Sequence, residues 1–186
     1  MKKTKNPWRT LKSRLVYRNS WIKIRENQVI RPDGKPGIYS YLEKPPGAFV
    51  IAYEDNAIYL LKQFRYVLKK AIYELPAGVV KGKNYLANAK RELLEETGIK
   101  AKTWKLLGTF NVAPGHETTR AYAFLATDLD TSNIRIAQEG DESIIAVEKV
   151  KIPTLRKRMT KSQIVCGISL AALNLFFNHL YLKKKI

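Results

Sequence analysis

Cysteine and histidine are scarce in this sequence, which has one cysteine and two histidines among 186 residues. The single Cys166 cannot form an internal disulfide, and its apolar surroundings favour a buried core thiol. His116 and His179 lie far apart and have no cysteine partner at a metal-ligand spacing, so neither supports a zinc site. The scarcity of cysteine favours a cytoplasmic protein, and 45% apolar residues suffice for one domain with a sizeable core.

Long hydrophobic runs are also missing. The most apolar stretch, residues 164–177, has 14 residues, whereas about 20 are needed to cross a membrane. It falls within a predicted C-terminal helix from about Thr160 to Leu182, which we expect to pack in the core or in a dimer interface. The N-terminus, Met1 to Trp8, is charged but lacks the apolar region of a secretory signal. These features predict a protein with no membrane segment.

Acidic residues are scarce at both ends of the chain. Residues 1–35 hold 11 Lys and Arg against 2 acids, and residues 149–186 hold 9 against none. The middle of the chain has 14 of each, so the net charge of +18 comes from the ends. Basic ends attract polyanions, but no aromatic RNA-binding motif, zinc-finger spacing or glycine-rich clamp accompanies them. Nucleic-acid binding is therefore a secondary hypothesis, after a lysine-rich solvated surface.

The most informative stretch, RELLEETGI, contains three glutamates within about one helical turn. Glu92 and Glu96 are four residues apart and Glu95 is three from Glu92, so an α-helix places all three on nearly one side. Neighbouring carboxylates repel each other, and a bound Mg²⁺ or Mn²⁺ would remove that repulsion because hard cations take oxygen ligands. The pattern predicts a helix from Tyr85 to Thr97 with Gly98 at its C-terminal cap.

Strands dominate the rest of the predicted structure. Alternating apolar residues, β-branched runs and turn residues indicate an N-terminal strand pair, hairpins and several later strands. The predicted strands are Leu15–Tyr17 with Trp21–Arg25, Gly37–Glu43, Ala48–Tyr53, Ala57–Phe64, Ile72–Leu75, Thr103–Asn111, Arg120–Thr127 and Ser143–Ile152. Turns are expected at Pro32–Gly34 and Glu54–Asn56. One early and one late helix among these strands predict a mixed α/β fold in layers.

The segment from Glu74 to Ile99 resembles the signature of the Nudix hydrolases, whose second half reads REU, one residue, EE, one residue, GU, where U is aliphatic. Residues 91–99 match that half at every specified position. Between Gly78 and Arg91 the chain is one residue shorter than the signature, and Lys83 takes the place of the signature's first glutamate. In the family that glutamate braces the arginine of the signature, so Lys83 is expected to repel Arg91.

Further segments resemble the ADP-ribose pyrophosphatase-like members of that family. They are Ser13–Trp21, Arg31–Gly34 with Gly37–Tyr39, Gln63–Tyr66, and Pro114, which lies 15 residues after Ile99. The resemblance implies an α/β (α+β mixed) fold, the Nudix α/β/α sandwich with an N-terminal β-rich arm. It divides the chain into that arm, residues 1–45, and a hydrolase domain, residues 46–186. It also implies a homodimer to which the arm contributes.

The resemblance implies a metal-dependent pyrophosphohydrolase that cleaves ADP-ribose, a small-molecule nucleoside diphosphate substrate, to AMP and ribose 5-phosphate. The cofactor would be Mg²⁺ or Mn²⁺, which neutralises pyrophosphate charge and activates water. Glu92 and Glu96 would be the principal ligands, Glu95 would act through a second ion or a bridging water, and the carbonyl of Ala77 would be a further ligand. Arg65 would contact phosphate; its alternative is an exposed cation at a strand end.

A general base would come, by the same resemblance, from the acidic loop Gln138–Glu142, with Glu142 as first choice and Glu139 as second. Tyr17 and Trp21 on the N-terminal arm would stack on the adenine ring. The plainer interpretations are a solvated acidic turn for the loop and core or interface anchors for the two aromatic residues. Two alternative functions stay open: a hydrolase of another nucleotide sugar, and a catalytically weakened Nudix fold that binds nucleotide or RNA through its basic ends.

Overall fold

The structure, a computed structural model, describes residues 5–136 and 143–183. The chain separates into two compact units. The N-terminal unit combines Met1–Pro45 with Asn111–Thr119, and the second unit combines Pro46–Phe110 with Arg120–Ile186. The chain therefore returns once from the second unit to the N-terminal unit.

The N-terminal unit is built around an antiparallel sheet of three strands in the order β1 (Arg9–Arg18), β2 (Lys23–Ile30) and β3 (Pro36–Glu43). All ten residues of β1 are exposed, whereas Val29 on β2 is buried. We use the name N-terminal apolar surface for the exposed large apolar side chains of this unit, which are Trp8, Leu11, Leu15, Val16, Tyr17, Trp21, Ile22 and Ile38. Much of the apolar area of the sheet is thus left in contact with solvent.

Two turns connect these strands. In the first, the side-chain oxygen of Asn19 accepts the N–H groups of Trp21 and Ile22 at 2.8 and 2.7 Å. In the second, the N–H of Gly34 donates to the carbonyl of Arg31 at 2.9 Å. Gly34 has φ 81°, a conformation that glycine adopts without the steric cost of a Cβ. The predicted turn before β3 is confirmed.

The second unit contains a mixed sheet of seven strands. They are β4 (Gly47–Glu54), β5 (Ala57–Arg65), β6 (Lys70–Glu74), β7 (Ala77–Val79), β8 (Lys100–Asn111), β9 (Arg120–Asp130) and β10 (Ile144–Lys151). The main path runs β10-β5-β4-β9-β8, while β6 pairs with β5 and β7 pairs with β4. β4 and β9 are parallel, with Gly47 opposite Ala121, and β4 is antiparallel to β5 and β7.

The β4–β5 hairpin closes through the predicted turn at residues 54–56. Asp55 and Asn56 have φ 51° and 56°, and consecutive left-handed residues of this kind form the tight hairpin turn that Asn and Asp favour. The end of β10 binds the same turn: Lys149 Nζ contacts Glu54 Oε2 at 2.8 Å and Asp55 Oδ2 at 3.1 Å. The hairpin is therefore stabilised by ion pairs with β10 as well as by its own backbone geometry.

In the described residues of the second unit there are three α-helices and a short 3-10 helix. They are α1 (Tyr85–Thr97), α2 (Ile152–Thr160), α3 (Gly167–Lys183) and the 3-10 helix Tyr66–Leu68. α1 has the predicted bounds. It begins after Asn84, whose side-chain oxygen accepts the N–H of Ala87 at 2.9 Å, and it ends at Gly98 with φ 74°, as expected for a glycine C-cap.

The helices cover both faces of the mixed sheet. On one face Leu93 of α1 packs in a buried cluster with Val50 of β4, and on the other face Phe176 of α3 packs in a cluster with Ile51. Residues 50 and 51 point to opposite faces because side chains alternate along a strand. The predicted layered fold of mixed α and β structure is confirmed.

The prediction of one C-terminal helix from Thr160 to Leu182 was wrong at its start. The helix of this region, α3, begins at Gly167, and a separate helix, α2, ends at Thr160. The chain leaves helical geometry between them at Ser162, which has φ 52°. The N–H of Gln163 then turns back to the carbonyl of Arg158 at 2.8 Å, which closes the end of α2. Within residues 5–136 and 143–183, no helix has the length and apolar character that crossing a membrane requires.

Candidate active site

The three glutamates of α1 differ in burial because the helix rests on the sheet. Leu93 is buried in the core, and Glu92 and Glu96 on the neighbouring positions are only 6% and 4% exposed. The Glu95 side chain is 36% exposed. Acidic side chains are rarely buried unless they are paired. We therefore expect Glu92 and Glu96 to have specific polar partners.

The backbone of β7 receives both buried carboxylates. The N–H of Ala77 donates to Glu96 Oε2 at 2.8 Å. At Gly78, an added Cβ would lie 2.0 Å from Cδ and 2.1 Å from Oε1 of Glu92. The Glu92 carboxylate thus occupies the space that a side chain at position 78 would take, and a larger residue there would displace that carboxylate. The structure brings the predicted ligand residues Ala77, Glu92 and Glu96 together at one short strand.

Arg91 neutralises two of the glutamates. Its Nη2 donates to Glu92 Oε1 and its Nη1 donates to Glu95 Oε2. Burial opposes the charge of Arg91, but the two carboxylates outweigh it and raise the arginine pKa. The repulsion that the sequence predicts for this cluster is thus relieved by an arginine of the same helix. The spacing of Arg91 and Glu92 does not predict this pair, because adjacent residues of a helix do not face each other.

The donor chemistry of this site fits a divalent cation in part. Glu92 and Glu96 supply hard oxygen donors beside the β7 backbone, and such donors suit Mg²⁺ or Mn²⁺. Among the described residues, however, no three His, Cys, Asp or Glu side chains lie together in an arrangement that could hold a metal ion. Glu95 turns instead to Arg91. A cation held by all three glutamates would therefore require Glu95 to leave that ion pair.

The loop between β7 and α1 does not show the predicted repulsion between Lys83 and Arg91. Lys83 is exposed, while Arg91 contacts the two glutamates. The side chain of Asn88 binds this loop through the backbone of Lys81 and Asn84. Sequence reasoning missed Asn88, because a polar residue in a helix gives no signal of which loop it will bind.

Arg65 lies at the end of β5 in a cleft of about 710 Å³. Its Nε donates to Glu74 Oε2 at 2.5 Å, and the exposures of the two side chains are 48% and 10%. Glu74 was not predicted as a site residue, although its place before the Leu75-Pro76-Ala77-Gly78 segment was a usable signal. The cleft wall also includes Ser143 and the apolar side chains of Phe64 and Val67. A cation thus faces a cleft with apolar sides.

The remaining predicted site residues are two aromatic residues of the N-terminal unit and two glutamates of the acidic segment. Tyr17 and Trp21 belong to the N-terminal unit, where their exposed fractions are 51% and 71%. The hydroxyl of Tyr17 accepts the Asn19 side-chain N–H at 3.3 Å. Glu139 and Glu142 lie outside the described residues.

Comparison with known proteins gives relatives for almost the whole chain. An ADP-ribose pyrophosphatase of Mycobacterium tuberculosis is 28% identical over 87% of this chain and 79% of its own length. A methanol dehydrogenase activator of Bacillus methanolicus is 27% identical over 92% of this chain and 96% of its own length. An ADP-ribose pyrophosphatase of Bacillus subtilis is 30% identical over 75% of this chain and 77% of its own length.

The fold also has a close counterpart. The solved structure of an ADP compounds hydrolase superposes with a TM-score of 0.83 at 17% identity and covers 99% of this chain and 100% of its own. Among protein families, residues 8–42 match the nucleoside diphosphate sugar hydrolase N-terminal domain, and residues 43–164 match the NUDIX domain. The second match covers most of the chain and contains the glutamate helix, the β7 strand and the Arg65 cleft, so the chain belongs to the Nudix hydrolase family.

Proposed function

We propose that this Nudix hydrolase is a divalent-metal-dependent pyrophosphohydrolase that cleaves ADP-ribose to AMP and ribose 5-phosphate. The observation that carries the proposal is the pair of buried carboxylates, Glu92 and Glu96, held against the backbone of β7. Two of the relatives described above are ADP-ribose pyrophosphatases, and this supports the choice of substrate. Their names describe those proteins, and the assignment to this chain is ours.

The proposed residues would have different roles in pyrophosphate hydrolysis. Glu92 and Glu96, with Glu95 and the carbonyl of Ala77, would hold a divalent cation, Mg²⁺ or Mn²⁺, which supplies charge neutralisation and lowers the pKa of water. Arg65 would orient the substrate: its Nε is used by Glu74, so the terminal nitrogens are the donors for a phosphate.

The general base is proposed from the acidic segment that follows Gln138. Glu142 is the first choice and Glu139 the second, because a carboxylate near a bound water can accept its proton. Tyr17 and Trp21 are proposed to stack on the adenine ring, since exposed aromatic side chains offer a flat apolar face. These four assignments rest on family resemblance.

A second candidate function is hydrolysis of another nucleotide sugar. The match of residues 8–42 to the nucleoside diphosphate sugar hydrolase N-terminal domain favours it, because that description names a wider substrate class than ADP-ribose. Both candidates use the same carboxylates and the same cleft, and they differ in the group that the cleft and the arm recognise.

We also propose that the protein forms a homodimer through its N-terminal arm and acts in the cytoplasm. The N-terminal apolar surface supports the first proposal, because large apolar side chains left exposed within one unit are often buried at an interface. The single cysteine supports the second, since disulfides are rare in reducing compartments.

The test is release of AMP from ADP-ribose with and without Mg²⁺ or Mn²⁺, beside UDP-, GDP- and ADP-sugars. Glu96→Gln is the informative variant because glutamine still accepts the Ala77 N–H but carries no charge. Glu26→Gln, on the N-terminal sheet, is the matched control. Metal-dependent AMP release that is lost only in Glu96→Gln supports the proposal. Preference for another sugar selects the second candidate, and no turnover of any substrate contradicts both.

A further inference from the structure

A second cavity, of about 470 Å³, lies beside β6 and is lined mainly by polar and basic side chains. We call it the basic pocket and define it by Lys70, Arg158, Ser162 and Gln163. None of the described residues that line it is acidic. Its volume falls within the range of pockets that hold one small ligand.

Arg158 is held in place by Glu148, which does not line the pocket, and by Tyr73, which does. Its Nη1 donates to Glu148 Oε2 at 3.2 Å, and its guanidinium lies 4.5 Å from the ring centroid of Tyr73. The Tyr73 hydroxyl in turn donates to Glu148 Oε1 at 2.9 Å. A guanidinium carries five N–H donors, and the Glu148 contact uses Nη1. Arg158 therefore presents fixed donors at little further cost in side-chain entropy.

The turn between α2 and α3 brings the other polar groups to the pocket. The N–H groups of Lys161, Ser162 and Gln163 donate to the carbonyls of Lys157, Met159 and Arg158 at 3.1, 3.1 and 2.8 Å. The end of a helix carries partial negative charge on its last carbonyls. These hydrogen bonds satisfy three of the last carbonyls of α2, so the end of the helix repels a nearby anion less.

The charge around the pocket is positive. Glu148 is paired with Arg158. Lys70 also lines the pocket, and Lys157 and Lys161 are exposed beside the turn. Close cations repel one another and gain when an anion binds between them. A planar arginine, a lysine, a hydroxyl and an amide form the donor set that proteins use for phosphate oxygens.

We propose that the basic pocket is a binding site for a small phosphate-bearing anion, separate from the glutamates of α1. The pocket shares Ile72 and Val165 with the cleft that contains Arg65. A probe that carries phosphate can therefore meet either site, and the experiment has to separate them.

The probe is inorganic pyrophosphate, titrated by calorimetry into the full chain with EDTA present, so that no metal bridges it to the glutamates. We expect Lys70→Gln and Arg158→Gln each to weaken binding about tenfold, the effect of losing one charge-assisted hydrogen bond. Lys102→Gln removes an exposed lysine of β8 and is the charge-matched control. Arg65→Gln removes the cation of the neighbouring cleft, and we expect Lys70→Gln to weaken the remaining binding by the same factor in the Arg65→Gln background.

Equal affinities for Lys70→Gln and Lys102→Gln would overturn the proposal, as would loss of binding in Arg65→Gln alone. Arg158→Gln could fail to fold, because it loses the contacts to Glu148 and Tyr73. Lys70 is exposed, so Lys70→Gln is expected to fold and tests the proposal in that case. A thymidine oligonucleotide provides the last comparison. Binding that is lost in Lys70→Gln but tightens steadily with oligonucleotide length would replace the small anion with a nucleic-acid surface.

Discussion

Asn88 holds both backbone groups of Lys81 in the loop before α1. Its Oδ1 accepts the Lys81 N–H at 2.9 Å, and its Nδ2 donates to the Lys81 carbonyl at 3.0 Å. The same Nδ2 donates to the carbonyl of Asn84 at 2.8 Å, and the side chain is 7% exposed. The loop is one residue shorter than the family signature and has Lys83 in place of its first glutamate, and the side-chain amide of Asn88 binds it to the helix.

Asn88→Ala is expected to destabilise the protein by about 1–3 kcal/mol, because buried backbone groups lose their hydrogen-bond partner. Lys83→Glu should change the free energy of unfolding by less than about 0.5 kcal/mol, as for other exposed positions. Urea denaturation of both variants measures the difference. A clear stabilisation by Lys83→Glu, with no effect of Asn88→Ala, would show that the loop lacks the carboxylate of the signature.

Gly78→Ala should reduce turnover on the order of 100-fold or more, because the new Cβ would displace the carboxylate of Glu92 from the β7 backbone. Steady-state rates of ADP-ribose hydrolysis measure the effect. Gly115→Ala is the control, since a Cβ at Gly115 meets nothing within 4 Å. Full activity of Gly78→Ala would mean that the position of Glu92 seen here does not matter for turnover.

Glu142→Gln should lower kcat by about 10²–10⁴-fold with little change in KM, because a general base acts in the chemical step. Glu139→Gln should have the smaller effect if Glu142 is the base. The two variants have the same chemical change within one acidic segment, so each controls for the other. A larger loss of kcat in Glu139→Gln would reverse the assignment.

Cys166 should react slowly with a thiol reagent at pH 8. Burial raises the pKa of its thiol, and the nearby charge of Glu74 acts in the same direction, while hydrogen bonds from Ser169 oppose it. A raised pKa keeps the unreactive protonated thiol to higher pH, so the midpoint of the rate's rise with pH should lie above that of an unperturbed cysteine. The same thiol in urea-unfolded protein is the reference. A midpoint below that of the unfolded protein would contradict this account.

Leu15→Lys and Val16→Lys should convert the proposed dimer to a monomer, because each places a charge on the N-terminal apolar surface. Light scattering coupled to size-exclusion chromatography gives the mass directly. Ile145→Lys adds the same charge at an apolar side chain of the second unit that is 50% exposed. Dissociation by Ile145→Lys alone would move the interface to the second unit, and a monomeric unmodified protein would exclude the dimer.

The glutamate helix could be predicted to the residue because its signals are local. The apolar spacing, the capping chemistry before Tyr85 and the glycine at position 98 lie within the helix or beside it. The break at Ser162 could not be predicted in this way, because a left-handed serine replaces the glycine that usually marks such an end.

Some contacts of the site depend on tertiary structure in a way that no spacing shows. Arg65 meets Glu74 only because β5 and β6 pair in a particular register. Arg91 pairs with Glu95 at the i, i+4 spacing that a helix brings together, whereas its pairing with the adjacent Glu92 is not indicated by spacing. The sequence pattern could therefore identify which residues form the site, but not which of them neutralise one another.

The parallel pairing of β4 with β9 has a consequence for the order in which the molecule folds. The β4–β5 hairpin joins neighbours through a tight turn, whereas Gly47 reaches Ala121 only after the intervening chain closes a long loop. Closing such a loop costs conformational entropy before any stabilising contact forms, and topologies of this kind fold slowly. The core beneath α1 contains Val50 of β4 and Phe124 of β9. We therefore expect α1 to gain its complete support late in folding, after the local hairpin has formed.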